Sequence, residues 1–178
     1  MRHTAIVLPG GRYGPQAPLL MYAADAVEAR GGSVRHVTWD PPYEPGAIPP
    51  DDVTSWVTAQ VPPVDTRPLL IGKSLGTHAA VVAAEHRLPA VWLTPLLTVA
   101  PVVDALRRAT APALLVGGTA DRFWDGDLAR DLSPHVLEID GADHGMYLPG
   151  PLAASAAVLG QVVTAVERFL DDVVWPGH

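Results

Sequence analysis

The sequence predicts a three-layer α/β/α sandwich, in which helices cover both faces of a sheet of about six mainly parallel strands. Three observations support this prediction. Short, continuous apolar runs recur along the 178 residues, as in strands that are buried on both faces of a sheet. Longer amphipathic segments alternate with these runs, as in βαβ units. The 19 prolines and 16 glycines separate the segments, and the length fits one domain that spans residues 1–178.

The elements follow one another from strand to helix along the whole chain. The helical segments carry apolar residues on one side, and two of them open with aspartates, which favour a helix N-terminus. The proline-rich segment 39–50 interrupts this rhythm, and we expect a surface loop at a strand end there. The predicted strands are Thr4–Leu8, Val34–Thr38, Leu69–Ile71, Ala90–Leu93, Ala113–Val116 and Val136–Ile139. The predicted helices are Leu19–Arg30, Asp51–Gln60, Leu75–Arg87, Val102–Ala109, Asp125–Leu132 and Leu152–Val174.

The composition excludes several classes of function. Hydrophobic residues make up 48% of the chain and charged residues 17%, which is typical of a packed globule and not of a disordered chain. The formal net charge of −7 offers no basic surface for nucleic acid or for an anionic membrane. The absence of cysteine excludes disulfides, thiolate metal sites and cysteine nucleophiles. No apolar run is expected to reach the length of a membrane span, and the N-terminus lacks an export signal, so we expect a cytoplasmic protein without cofactor or metal.

The strongest local signal is the G-x-S-x-G sequence at residues 72–76, which follows an apolar strand and precedes an alanine-rich helix. In so tight a strand-to-helix turn, the glycines two positions either side of Ser74 relieve steric crowding. The turn exposes the Ser74 hydroxyl above the sheet, where a helix N-terminus stabilises negative charge. A phosphate-binding loop is excluded, because Arg67 stands where that motif needs a glycine. A purely structural turn remains as the alternative to a nucleophile.

An acid and a base follow the ends of two later strands. Asp121 lies just beyond one strand, and His144 lies beyond the next, as the only one of seven histidines in a glycine-flanked loop after the last strand. Because the carboxyl ends of parallel strands meet at one edge of a sheet, we expect both side chains to converge on the serine. Asp125 and Asp127 are rival acids, but they are placed to cap and start the next helix. Asp143 is interpreted as a residue that anchors the histidine loop.

These residue types suit nucleophilic catalysis by serine. A serine hydroxyl is a weak nucleophile until a histidine takes its proton, and an aspartate holds that histidine in the required tautomer. Two backbone N–H groups are then needed for the oxyanion. We expect one from Leu75, directly after the serine, and the other from Gly11, in the glycine-rich loop that follows the first strand. A simple tight turn is the alternative interpretation of that loop.

With these residues placed, the chain resembles the α/β-hydrolase superfamily over nearly its whole length. The resemblance rests on the motif at residues 72–76 and on the order serine, aspartate, histidine. It is strongest to small bacterial hydrolases related to dienelactone hydrolases and other minimal esterases. It implies a serine hydrolase with Ser74, Asp121 and His144 as its catalytic triad.

The sequence also departs from the pattern of that superfamily. Its first strand corresponds to the strand that usually comes third, and Pro9-Gly10 stands where the oxyanion loop usually has His-Gly. Many relatives insert a helical cap after the strand that is Ala90–Leu93 here. Only residues 94–100 separate that strand from the next predicted helix, so we expect a minimal fold without a cap domain and a shallow, open site.

The leading hypothesis is hydrolysis of a small carboxylic ester through an acyl-serine intermediate. A thioesterase or acyltransferase with the same triad is an open alternative, because a fold does not determine its substrate. A catalytically silent binding or accessory protein is an alternative from another class. The expected partner is a small-molecule ester or thioester, with no nucleic acid and no membrane. Candidates for the substrate pocket are cationic, aromatic and apolar side chains near strand ends: Arg12, Tyr13, Trp39, Lys73, Phe123, Trp124, Met146 and Tyr147.

Overall fold

A computed structural model describes residues 3–177 and contains one sheet of six strands. In the sheet the strands lie in the order β2-β1-β3-β4-β5-β6, and every neighbouring pair is parallel. The predicted fold class is therefore confirmed. The strands are β1 (Thr4–Leu8), β2 (Ser33–His36), β3 (Leu69–Lys73), β4 (Ala90–Leu93), β5 (Ala113–Gly118) and β6 (His135–Ile139).

Helices cover the sheet on both faces. The first and last α-helices pack together on one face, and the other four lie on the opposite face. Only residues 94–99 separate β4 from the next helix, so no cap is inserted there. The α-helices are α1 (Pro18–Glu28), α2 (Val53–Thr58), α3 (Ala80–His86), α4 (Ala100–Arg108), α5 (Gly126–Leu132) and α6 (Leu152–Phe169).

Alternation along each central strand builds two separate cores. In β3, Leu69 and Ile71 face the helices α1 and α6, whereas Leu70 faces the other layer. In β4, Trp92 enters the second core, where it is the largest fully buried side chain. Because both sides of the central strands β1, β3, β4 and β5 are covered, these strands are largely apolar, which explains their continuous hydrophobic runs.

Several boundaries differ from the predicted ones near residue 74. Strand β3 continues through Gly72 to Lys73, two residues beyond its predicted end. The helix that follows begins as a 3₁₀ helix, Ser74–Ala79, before α3 starts at Ala80. The hydroxyl of Thr77 donates a hydrogen bond of 2.6 Å to the carbonyl oxygen of Ser74 within this tighter turn. Residues 39–49 contain no strand or helix and are mostly exposed, which agrees with the predicted loop.

The C-terminal helical segment corrects the expectation that no apolar run reaches the length of a membrane span. Helix α6 and the π turn after it, Leu152–Val174, form 23 residues that are long and apolar enough to cross a membrane by length and composition alone. Its mean hydropathy reaches 1.3 over the most apolar window. Val158, Val162 and Val166 are buried against the sheet, so this apolar face contributes to the core.

Candidate functional site

The site begins at the turn between β3 and the 3₁₀ helix. Ser74 stands at this junction with a φ of 50°, a left-handed conformation that non-glycine residues rarely adopt. A Cβ at Gly76 would lie 2.4 Å from the backbone oxygen of Leu8, at the end of β1. A Cβ at Gly72 would lie 2.6 Å from the Trp92 ring. The two glycines therefore allow the turn to pack against neighbouring strands, and the turn leaves the Ser74 side chain partly exposed.

Three predicted side chains form a chain of hydrogen bonds across the strand ends. The Nε2 atom of His144 lies 2.8 Å from Oγ of Ser74, and its Nδ1 atom lies 2.6 Å from Oδ2 of Asp121. The Asp121 side chain is fully buried, whereas that of His144 is 33% exposed. The other carboxylate oxygen of Asp121 accepts a hydrogen bond of 2.9 Å from the N–H of Phe123. In the tautomer in which Nδ1–H donates to the Asp121 carboxylate, the Nε2 lone pair faces the serine hydroxyl.

The rival aspartates have other partners. Asp143 accepts hydrogen bonds from the N–H groups of Gly145 and Tyr147, at 2.8 and 2.9 Å, and so shapes the loop that carries the histidine. Asp125 caps α5 by accepting from the N–H of the third helical residue. Asp127 forms an ion pair with Arg130. Asp121 alone among these four carboxylates contacts the histidine ring.

The two residues predicted to supply N–H groups for the oxyanion, Gly11 and Leu75, both line the cavity beside Ser74. Leu75 is the second residue of the 3₁₀ helix, so its N–H belongs to the unpaired first turn. In the loop after β1, the Gly10 N–H donates to the carbonyl of Tyr13 at 2.9 Å and is therefore occupied. Gly11 lines the cavity beside Ser74. A Cβ at Gly11 would lie 2.6 Å from the ring of Tyr43, so glycine is needed there for the ring to approach.

An open cavity of about 530 Å³ adjoins the serine. Its walls come from the loop after β1, the proline-rich loop, the 3₁₀ helix and the loops after β4 and β5. Among the described residues, no carboxylate lines it. Within residues 3–177, no group of three or more metal-ligating side chains could hold a metal ion. The lining residues are Gly11, Arg12, Tyr43, Pro45, Pro50, Val53, Ser74, Leu75, His78, Leu96, Val99, Arg122 and Phe123.

Comparisons with known proteins agree with this architecture. No protein-family model and no curated protein matches the chain. Est1E from Butyrivibrio proteoclasticus, solved with ferulic acid bound, is 15% identical, with a TM-score of 0.69 over 98% of this chain and 90% of Est1E. A hydrolase of the alpha/beta superfamily from Xanthomonas campestris pv. campestris is 18% identical, with a TM-score of 0.66 over 95% of this chain and 98% of its own.

A mouse protein, alpha/beta hydrolase domain-containing protein 10, is 13% identical, with a TM-score of 0.66 over 94% of this chain and 89% of its own. This chain has the α/β-hydrolase fold. The resemblance predicted from the motif and from the order of its three polar residues is thus confirmed at the level of the fold. The Ser74 turn, Asp121 and His144 all lie at the edge of the sheet where α/β folds bind their ligands.

The predicted pocket residues of this α/β-hydrolase fold divide between two cavities. Arg12 and Phe123 line the cavity beside Ser74. Tyr13, Met146 and Tyr147 instead line a second cavity of about 240 Å³, on the α1 and α6 side of the histidine loop. Position near a strand end in the sequence identifies the correct edge of the sheet, but it does not determine on which side of the loop a side chain lies.

Three predicted pocket residues line neither cavity. Trp39 is buried, packs against the Trp56 ring, and donates from Nε1 to the Gly10 carbonyl at 3.2 Å. Trp124 packs over Gly117, and its Nε1 donates to Glu138 at 2.7 Å. Both indole N–H groups donate to acceptors of the protein itself, so these two rings support the loops and do not line the cavity. The third, Lys73, is also buried.

The sequence did not predict one aromatic and one cationic residue that line the cavity beside Ser74. Tyr43 comes from the proline-rich segment, where Trp39 was the candidate instead. Arg122 directly follows Asp121, and its guanidinium lies 4.6 Å above the Phe123 ring. The proximity of Arg122 to the candidate acid was a signal that could have identified it.

His78 is a third lining residue that the sequence did not single out. Its Nδ1 atom lies 2.8 Å from the Thr54 hydroxyl. Burial lowers the pKa of His78 to about 4, so this imidazole is neutral at neutral pH.

Proposed function

We propose that the chain is a serine hydrolase that cleaves small carboxylic esters through an acyl-serine intermediate on Ser74. One observation carries the proposal: the continuous hydrogen-bond chain from the Ser74 hydroxyl through His144 to Asp121, with distances of 2.8 and 2.6 Å. Such an arrangement provides a nucleophile, a general base and a group that orients the base. The buried position of Asp121 favours a strong, directional interaction with the imidazole.

In the proposed mechanism, Oγ of Ser74 attacks the ester carbonyl carbon while Nε2 of His144 takes the hydroxyl proton. The carbonyl oxygen becomes an oxyanion, which the N–H groups of Leu75 and Gly11 stabilise. The imidazolium, stabilised by Asp121, then gives the proton to the departing alkoxide, and an acyl-serine remains. A water molecule attacks the acyl-serine with His144 again as base, and the collapse of this second oxyanion releases the acid and restores the serine hydroxyl.

The shape of the cavity supports a small or aromatic acyl group. A volume of about 530 Å³ lies within the usual range for small-molecule sites. Phe123, Leu96 and Tyr43 offer apolar and aromatic surface, and no cap encloses a longer chain. The ferulic acid bound to Est1E is an aromatic acid, which agrees with this class of substrate.

Labelling with a fluorophosphonate probe and hydrolysis of p-nitrophenyl acetate test the proposal together. We expect labelling and turnover in the wild type, and the loss of both in Ser74→Ala. His144→Ala and Asp121→Asn should each lower kcat by about 10³-fold or more, because the base is lost or takes the wrong tautomer. A Ser74→Ala, His144→Ala double variant should be hardly slower than either single variant, since the two residues act as a unit.

Ser33→Ala is the matched control, because Ser33 is exposed at the start of an edge strand. It should be labelled and should turn over the ester like the wild type. A wild type that is neither labelled nor active would exclude the enzyme and favour a silent binding protein. Acyl-CoA thioesters assayed in parallel distinguish an esterase from a thioesterase.

A further inference from the structure

Lys73, the only lysine of the chain, precedes Ser74 and is turned away from the open cavity. It is 2% exposed. Its Nζ atom donates to the hydroxyl of Thr94 and to the backbone carbonyl of His144, both at 3.0 Å. The ammonium also lies 4.7 Å from the centre of the Tyr13 ring. Lysine is rarely buried to this extent unless it is paired, so these contacts need an explanation.

No carboxylate among residues 3–177 lies within ion-pair distance of Lys73. Asp121 and Asp143 act on it only at longer range and raise its pKa, while burial, the larger effect, lowers that pKa to about 8. The other titratable side chain in contact with the ammonium is that of Tyr13. An unpaired buried charge is unfavourable for folding. The hydrogen bonds of Lys73 thus connect the loops after β4 and β6, while the burial of its charge lowers the free energy of unfolding.

The side chain of Lys73 joins three strand ends. Its backbone belongs to β3 and carries the nucleophile candidate as the next residue. Thr94 directly follows β4, has a φ of 44° and donates from its N–H to Val116 of β5 at 2.7 Å. The His144 carbonyl belongs to the loop after β6. A single ammonium therefore ties the backbone of the candidate base to the strand that presents Ser74.

We propose that Lys73 is a positioning residue, which holds the His144 loop so that Nε2 stays within hydrogen-bond distance of Ser74. This inference rests on the proposed serine-hydrolase function. The other supports of His144 act from the side chain of Asp121 and from the Asp143 turn, and neither ties its backbone to β3. Without the ammonium the imidazole moves relative to the serine while the substrate cavity keeps its walls. Reaction rates depend steeply on such alignment, since a displacement of about 1 Å can lower them about 10²-fold.

The test compares Lys73→Met with the wild type in steady-state hydrolysis of p-nitrophenyl acetate and in the rate of fluorophosphonate labelling. Methionine keeps most of the apolar stem and removes both hydrogen bonds. We expect kcat and the labelling rate to fall about ten- to hundredfold, with KM changed less than about twofold. Thr94→Val is the matched control, because it removes one partner of the ammonium and leaves the bond to the His144 carbonyl. Its kcat should fall less than about threefold.

Lys73→Gln, which is polar but shorter, serves as a second variant if Lys73→Met does not fold, and the same loss of kcat is expected. A Lys73 variant with wild-type kcat would overturn the inference, and so would a rise in KM alone, which would indicate that Lys73 binds substrate. Equal losses of kcat in Thr94→Val and Lys73→Met would also overturn it, because the bond to His144 would then not be decisive. Failure of the hydrolase proposal itself is distinguishable, since the wild type would then not be labelled.

Discussion

Burial of the Lys73 ammonium makes the free energy of unfolding depend on pH. Burial lowers the pKa of Lys73 from 10.5 to about 8 in the folded protein. Between these two values the unfolded chain holds a proton that the folded protein lacks, so stability rises with pH in this window. Below about pH 8 both states are protonated, and the folded state carries the net penalty of the buried charge, about 3 kcal/mol at about 1.36 kcal/mol for each pKa unit.

Replacing Lys73 with methionine removes this titration. Between pH 7 and pH 9.5, the wild type should gain about 2 kcal/mol of unfolding free energy relative to Lys73→Met. At pH 7, Lys73→Met should therefore unfold at a urea concentration no lower than that of the wild type, even though its kcat falls. Urea unfolding of both proteins at both pH values measures the difference.

Groups that titrate alike in both proteins cancel in this comparison, and Tyr13, whose pKa burial raises above 10.0, stays mostly protonated up to pH 9.5. An identical pH dependence of stability in the wild type and in Lys73→Met would refute the reasoning. It would mean that Lys73 titrates in the folded protein as it does in the unfolded chain. A large loss of stability at pH 7 in Lys73→Met would refute it as well, because the hydrogen bonds would then outweigh the desolvation of the charge.

Two further predictions concern the substrate. Arg12 and Arg122 line the cavity beside Ser74, and neither pairs with a carboxylate in residues 3–177, so an anionic ester should be preferred to its neutral counterpart. The kcat/KM for p-nitrophenyl hydrogen glutarate, divided by that for its methyl ester, should fall about threefold in Arg122→Gln. The ratio should stay constant in the control Arg168→Gln, which removes a charge near the end of α6. An unchanged ratio in Arg122→Gln would exclude a contact between Arg122 and the anionic group. For neutral esters, kcat/KM should rise about fourfold for each buried methylene and level off after a few acyl carbons. A steady increase up to palmitoyl esters would show that the 39–50 segment encloses the chain.

The sheet and the convergence of the three polar residues could be predicted from the sequence because both depend on local order. Most strands are short, largely apolar runs with glycine or proline near their ends, and parallel strands present their carboxyl ends at one edge. The residues that follow β3, β5 and β6 must therefore lie near one another. The predicted strand ended too early near residue 74 because its apolar run stops at Ile71, whereas Gly72 and Lys73 still pair with Trp92 and Leu93 of β4.

Side-chain direction could not be predicted in the same way. Lys73 carries a charge and follows a strand end, which suggested contact with substrate, yet the pleat of the extended β3 directs it inward between the loops. Trp39 and Tyr43 are four residues apart in one irregular segment with no periodicity to separate inner from outer positions. Tertiary packing decides between them, since the Trp39 indole finds a hydrogen-bond acceptor in the Gly10 carbonyl and becomes buried.

Gly11 and Tyr43 link the proline-rich segment to the candidate oxyanion hole. The φ of Gly11 is not in the left-handed region, so the backbone conformation at position 11 does not require a glycine. It is required because any Cβ would lie 2.6 Å from the Tyr43 ring. The ring packs against Trp56 at 5.9 Å between centroids, and Pro45 extends the same wall of the cavity. In a fold without a cap, this segment therefore supplies one wall of the site and fixes the loop whose N–H is expected to contact the oxyanion.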